Sequence, residues 1–266
     1  MQLVRPLALV AACAALLAVA PTASAAPRND NFGNAVPLRV GQTLKGNVNG
    51  ATKQSGEPRH AGSLANHTVW YRLRSASKVA VQLSTCTASF DTILAVYTGT
   101  GIRRLREIEF NNDGCGDGSR VTFTARPGRT YRIAVAGFVD RGSFRISAKR
   151  ISVPPNDDFV DGVALRVGEG VTGTTRNGTR ELREPGPGAH TVWHRVRVDA
   201  PTNVALDACS NGYASIRIYT GSAVDRLTRV GDSAGCSPSF VAQPGITYHL
   251  QLAGNGGYRI NVAALP

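Results

Sequence analysis

Short runs of alternating hydrophobic and polar residues, separated by Gly-, Pro- and Asn-rich breaks, recur along the chain. Val69, Tyr71 and Leu73 alternate with Trp70 and Arg72. Val79, Val81 and Leu83 alternate with Ala80 and Gln82, and Tyr131, Ile133 and Val135 with Arg132 and Ala134. Val121 with Phe123, and Phe144 with Ile146, continue the pattern. A period of two places alternate side chains on opposite faces of a strand. Runs of this kind, broken about every 8–12 residues, predict an all-β antiparallel sandwich or barrel. No long segment carries the 3.6-residue period of a helix. At most, Asp30 or Asp157 is expected to cap a short helical turn bearing Phe32 or Phe159. Trp70 and Trp193 are expected to plug the sandwich core, because a lone Trp on a strand usually packs inward.

The pattern occurs twice. Asn29-Asp30-Asn31-Phe32 returns as Asn156-Asp157-Asp158-Phe159, Leu38-Arg39-Val40-Gly41 as Leu165-Arg166-Val167-Gly168, and His67-Thr68-Val69-Trp70 as His190-Thr191-Val192-Trp193. Tyr97-Thr98-Gly99 matches Tyr219-Thr220-Gly221, and Pro127-Gly128 matches Pro244-Gly245. The offset falls from 127 to 114 along the copy, so the second copy has shorter loops. Each copy is long enough to fold by itself, unlike a solenoid repeat. The expected organisation is a domain over residues 26–151 and a second over 152–266, joined by the stiff segment Ser152-Val153-Pro154-Pro155.

Residues 1–25 stand outside this pattern. Arg5, the apolar run Leu7–Ala20 and Ala23-Ser24-Ala25 form the three parts of a Sec signal peptide, so the mature chain is expected to be secreted. Val10-Ala11-Ala12-Cys13 resembles a lipoprotein box, but the apolar run continues past it. No later stretch approaches the ~18 apolar residues of a transmembrane helix. Four cysteines then remain, an even number that points to disulfides in a secreted protein. Cys86 aligns with Cys209 and Cys115 with Cys236, so the repeat selects Cys86–Cys115 and Cys209–Cys236 among the three possible pairings.

Each copy resembles the bacterial pre-peptidase C-terminal domain. The resemblance rests on the opening Asn-Asp-x-Phe, on His67-Thr68-Val69-Trp70-Tyr71, and on the stretches Phe90–Gly99, Asn111–Asp113 and Phe123–Tyr131. It implies tandem jelly-roll-like β-sandwich domains and a non-catalytic accessory or binding role. In some members the fold is calcium-stabilised and engages matrix protein or polysaccharide. Asp91, Asn112 and Asp113 are the candidate calcium ligands, gathered with Asn111 and Asp117 near one disulfide. Ca²⁺ takes six to eight oxygens, some of which loop carbonyls can supply. The second copy departs here: Asp91 aligns with Tyr213-Ala214-Ser215, and Asn112 and Asp113 with Ser233 and Ala234.

Charge separates the copies further. The whole chain carries a formal charge of +12. Residues 28–152 contain 19 basic and 8 acidic residues, a net +11, whereas residues 153–266 contain 10 of each. Arg103, Arg104 and Arg106 align with Asp225, Arg226 and Thr228; Arg120, Arg126, Arg129 and Arg132 align with Ser237, Gln243, Ile246 and His249. A polyanion surface on the first copy is expected from these seven arginines. Its partner would be an anionic polysaccharide, teichoic acid or a matrix-type polymer, since a secreted protein does not meet nucleic acid as its physiological ligand. The competing class is a secreted serine hydrolase. Gly231-Asp232-Ser233-Ala234-Gly235 fits G-x-S-x-G, with His190 or His194 as base and Asp207 or Asp225 as orienter. The first copy has no Ser at that turn, and no helix pattern follows it. A structural spacer is the third class.

Overall fold

The computed structural model describes residues 25–63, 65–138, 140–186, 190–209, 215–230 and 235–266; residues 1–24, within the expected signal peptide, and Gly231–Ala234 lie outside them. The first sandwich contains β1 (Val36–Pro37), β2 (Thr43–Asn47), β3 (His67–Arg74), β4 (Val79–Ser84) and β5 (Thr92–Thr98). It continues with β6 (Arg106–Asn111), β7 (Arg120–Ala125), β8 (Thr130–Gly137) and β9 (Ser143–Arg150). The second contains β10 (Val163–Leu165), β11 (Gly170–Thr174), β12 (Thr191–Val196), β13 (Thr202–Asp207) and β14 (Ser215–Thr220). It ends with β15 (Thr228–Arg229), β16 (Ser239–Ala242), β17 (Tyr248–Ala253) and β18 (Gly257–Ala264).

The first sandwich pairs a sheet of order β1-β3-β8-β5-β6 with one of order β2-β9-β4-β7. The second repeats both orders as β10-β12-β17-β14-β15 and β11-β18-β13-β16. In each sandwich the last eight strands, β2–β9 and β11–β18, are ordered as the double Greek key of a jelly roll, with β1 and β10 added at an edge, so the all-β fold expected from the alternation is the fold observed. One pair in each sandwich departs from antiparallel: β1 runs parallel to β3 with Val36 opposite Tyr71, and β10 parallel to β12 with Val163 opposite His194. The chain crosses to the other sheet as β2 or β11 before returning, and a crossover, unlike a hairpin, delivers a parallel neighbour.

Between the sheets, Val69, Tyr71 and Leu73 of β3 pack with Val81, Leu83, Phe123 and Ile146. Trp70 does not join them. It is fully buried on the opposite face of β3, with Ala95, Tyr97 and Ala134, under a strap formed by the segment that precedes β3. Trp193 is buried in the same way beneath Phe159. The expected core plugs are therefore the seats of an outer cover. Phe32 meets Trp70 edge-on at 5.3 Å, and Phe159 meets Trp193 at 5.2 Å.

The Asn-Asp-x-Phe motif holds this strap. The Trp70 amide donates to the Asn29 carbonyl at 2.9 Å, and Asn29 Nδ2 donates back to the Trp70 carbonyl at 3.0 Å. Asn156 and Trp193 repeat the exchange at 2.8 and 2.9 Å. Short 3₁₀ turns do follow, at Phe32–Asn34 and Phe159–Asp161, but neither aspartate caps them. Asp30 instead accepts the Thr52 amide (2.6 Å) and hydroxyl (2.9 Å), and Asp157 does the same with Thr179 (2.5 and 2.7 Å). These bonds staple the two ends of the strap together.

Both disulfides form within their own copy, with Cα separations of 5.6 Å for Cys86–Cys115 and 4.9 Å for Cys209–Cys236. Loops of this size correspond to about 3–4 kcal/mol in the loop-entropy account. The sandwiches also touch each other. Arg126 Nη2 lies 2.8 Å from Glu181 Oε1 and 3.5 Å from Asp158 Oδ1; Lys78 pairs with Asp158; and Thr124 Oγ1 meets Thr179 Oγ1 at 2.9 Å. Asp158 stands where the first copy has Asn31.

Removing the strap anchor should be costly. Asn29→Ala leaves a buried carbonyl unpaired and is expected to lower stability by about 1–3 kcal/mol. Trp70→Ala, a large cavity under the strap, should cost about 3–5 kcal/mol. Urea unfolding of the full chain measures both, and an unchanged midpoint for Asn29→Ala would show that the strap is not held this way.

Candidate functional site

The nominal bases and orienters are engaged in structural contacts. His194 is buried on the core face of β12, and its Nε2 lies 2.7 Å from the Tyr258 hydroxyl. Burial pushes its pKa down to about 4, so it stays neutral near pH 7. His190 Nδ1 donates to the Gly178 carbonyl at 2.8 Å, as His67 Nδ1 does to Ala51 at 2.7 Å. Both sit at a strand end, His67 opening β3 and His190 immediately before β12. Asp207 Oδ1 accepts the Cys209 amide at 3.0 Å, and Asp225 faces Arg183 at 3.6 Å. Ser233 lies outside the described residues.

A different histidine makes a buried relay that sequence inspection missed. His60 joins Glu57 Oε1 through Nε2 (2.8 Å) and the Tyr97 hydroxyl through its Nδ1 (2.7 Å); that hydroxyl also donates to Glu107 Oε2 (2.9 Å). Burial raises the Tyr97 pKa, and the Glu107 carboxylate raises it further. The relay supports the strap: Glu57 and His60 are both shielded from solvent, and the His60 ring packs 5.5 Å from Trp70. The second copy fills the same place differently. Gln251 stands opposite Trp193, where Ala134 stands opposite Trp70, and donates to Glu184 Oε1 at 2.7 Å.

Asp91 begins the approach to β5, and Asn112 and Asp113 follow β6. Asp91 Oδ1 and Asn112 Oδ1 are buried without a hydrogen-bond partner, the kind of oxygen a hard cation accepts. Asn112 Nδ2 is taken by Asp113 Oδ2 at 3.2 Å. Among the described residues, however, no three acidic, histidine or cysteine side chains converge on a common point. Desolvation, and then Asp113, Asp117 and Asp140, raise the Asp91 pKa.

The seven arginines do not form one surface. Arg103 and Arg104 lie exposed in the 3₁₀ turn before β6, and exposed Arg106 opens that edge strand. Arg103 crosses Gly56 to reach Ser55 Oγ at 3.2 Å. Arg120 starts β7, its Nη2 3.4 Å from Cys86 Sγ, and Arg129 is exposed in the β7–β8 turn. Arg126 is engaged by the second sandwich. The Arg132 guanidinium is stacked 4.4 Å over the Phe32 ring, where burial and neighbouring Arg72 lower its pKa. Arg126 and Arg132 thus belong to the docking contact and the strap rather than to a free cationic face.

Net charge also hid a preserved feature. Arg39, Arg72 and Arg74 align with Arg166, Arg195 and Arg197, which with Asp199 line a groove of about 620 Å³ in the nominally neutral domain. Comparing the copies for arginines retained, not only for those lost, would have revealed it.

No family model matches the chain, and no curated protein matches it. Among solved structures it is similar to the pre-peptidase C-terminal domain of collagenase from Bacillus anthracis. The identity is 17%, covering 43% of this chain and 94% of that one, with a TM-score of 0.32. It is also similar to the CUB1-EGF-CUB2 region of human MASP-1/3 (10% identity, 84% and 99% coverage, TM-score 0.22). The PBSX exported protein XepA gives 8% identity, 86% and 83% coverage and a TM-score of 0.22. The jelly-roll assignment rests on the strand order of the chain itself.

The acidic cluster yields a signed expectation. Because the folded-state pKa of Asp91 is raised above its unfolded value of about 3.9, the native state holds the proton more tightly, and ionised Asp91 opposes folding near pH 7. That cost disappears as pH falls below the unfolded value. In EDTA, Asp91→Asn should therefore melt a few degrees higher than wild type at pH 7 and equally at pH 3. A lower melting point at pH 7 would overturn this account. Millimolar calcium separates an acidic cluster from an ion site, since only an ion site raises the wild-type midpoint.

Proposed function

We propose that this chain is a secreted, non-catalytic binding protein built of two modules resembling pre-peptidase C-terminal domains. In this reading the first domain engages an anionic polymer at or beyond the cell surface: an acidic polysaccharide, a teichoic acid or a matrix-type polymer. The observation that carries it is the charge division, +11 over residues 28–152 against zero over 153–266, together with the exposure of Arg103, Arg104 and Arg106 on one turn and edge strand. The two disulfides fit an oxidising, extracytoplasmic location. The engagement of His190, His194, Asp207 and Asp225 in structural hydrogen bonds and ion pairs favours binding over hydrolysis.

Retention of the full chain on heparin or immobilised teichoic acid tests this directly. It should be strong at low ionic strength and weaken steeply toward physiological salt, as the Debye length falls from ~30 Å to ~8 Å. Arg103→Asp with Arg106→Thr, which installs the residues of the second copy, should elute at clearly lower salt. Elution at the wild-type position removes this segment from the contact, and no retention of the wild type sinks the polymer reading.

A further inference from the structure

We infer that the cleft between the two sandwiches is a binding site for a short segment of acidic glycan, with both domains supplying its walls. The ligand class rests on the anionic-polymer reading; the place and the construction of the site are new to it. The cleft has a volume of about 560 Å³, within the range of about 300–1,000 Å³ typical of ligand pockets, and interdomain clefts are preferred locations for them. Phe110 of β6 and Arg120 and Thr122 of β7 face it from the first domain, and Arg176, His190 and Asn255 from the second.

These walls are held in place. Asn111 Oδ1 accepts the Arg120 amide at 3.0 Å, joining the end of β6 to the start of β7. Gly114 makes that join possible, because a Cβ there would lie 2.4 Å from Asn111 Oδ1 and 2.7 Å from the Arg120 nitrogen. Across the cleft, Asn177 adopts a left-handed backbone (φ 63°) and its Nδ2 donates to the Ser152 carbonyl at 3.3 Å, tying the wall to the interdomain linker. Since the Gly178 carbonyl can only accept, His190 Nδ1 carries a proton and is held by it, which fixes the ring in the cleft wall. The Arg126–Glu181 and Thr124–Thr179 contacts keep the two walls apposed.

The lining has the chemistry an acidic sugar needs. Arg120 and Arg176 offer planar guanidinium forks for a carboxylate or sulfate. Gln82, Thr122 and Asn255 pair with ring hydroxyls, which both donate and accept. The Phe110 ring, 50% exposed, gives an apolar face for the C–H side of a pyranose. Two acids also line this wall: burial pushes the Glu109 carboxyl up to about 7, which reduces its charge against an anionic guest, and the Asp113 side chain is exposed just past the end of β6.

The cleft is not a feature of the repeat. Arg120 aligns with Ser237, Arg176 with Asn49, and left-handed Asn177 with left-handed Gly50. Each domain contributes a cation that its sister lacks, and the two meet only because the domains are docked in tandem.

Calorimetric titration of the full chain with a heparin-derived tetrasaccharide at physiological salt tests the site, with heparin-resin retention measured in parallel. Arg176→Asn combined with Phe110→Ala should weaken tetrasaccharide binding at least tenfold, and Asn255→Ala, at an exposed turn, severalfold. Arg103→Asp with Arg106→Thr should leave tetrasaccharide affinity within about twofold while lowering resin retention. Melting curves exclude unfolding as the cause. Cleft variants that bind as wild type overturn the inference. A wild type retained on resin that ignores the tetrasaccharide overturns the cleft but leaves the polymer reading standing. A wild type that binds the tetrasaccharide through these residues yet flows through the resin supports the cleft and overturns the polymer reading.

Discussion

The reciprocal hydrogen bonding of Asn29 with the Trp70 backbone, repeated by Asn156 and Trp193, is the constraint on which the rest of each domain depends. It fixes a strap across the face of the five-stranded sheet that would otherwise meet water. Once the strap is down, β3, β5 and β8 are buried on both faces, and large side chains can occupy positions that alternation would assign to solvent. The energetic logic is that of a buried polar pair. Each partner satisfies a backbone group that burial would otherwise leave unpaired, so losing one side costs more than the net value of the bond. Asp30 and Asp157 extend the same logic by stapling the far end of the strap at Thr52 and Thr179.

Within that common frame the copies have diverged in how they fill space and where they spend charge. In the first, His60 from the strap packs against Trp70, whose strand partner is small Ala134; in the second, Gln251 on the strand supplies the bulk and the hydrogen bond itself. Tyr71 and Phe144 in one core become His194 and Tyr258 in the other, so an aromatic hydroxyl is kept but changes strand. Replacing Asn31 by Asp158 places a nearly inaccessible carboxylate at the boundary, where Lys78 and Arg126 neutralise it. Part of the charge asymmetry is therefore internal: cations of the first domain answer acids of the second. Pairing matters here, because a buried carboxylate without its partners is costly.

This division also separates the arginines by role. Arg126 docks, Arg132 stacks on the strap, Arg120 faces the cleft, and Arg103, Arg104 and Arg106 remain for solvent or a ligand. Joining two similar sandwiches has produced a polar cleft that neither copy encodes alone, in contrast to the hydrophobic core that each encodes separately.

The sequence alone determined the β class, the duplication and the pairing of the cysteines. Period-two alternation at Val69–Leu73 or Tyr131–Val135 is a local property, and a repeat transfers the partner of Cys86 to that of Cys209 without any coordinates. It did not determine which face Trp70 occupies. Strands such as Thr92–Thr98, buried throughout most of their length, show no alternation to read, and the strap that buries them is remote in sequence. The same holds for the arginines. Composition counts charges, whereas only the packing of Phe32, Asp158 and Glu181 decides which of them are already engaged. The candidate calcium ligands Asp91, Asn112 and Asp113 were legible as a collection of oxygens, whereas the distances among such oxygens, on which coordination depends, are set by tertiary geometry.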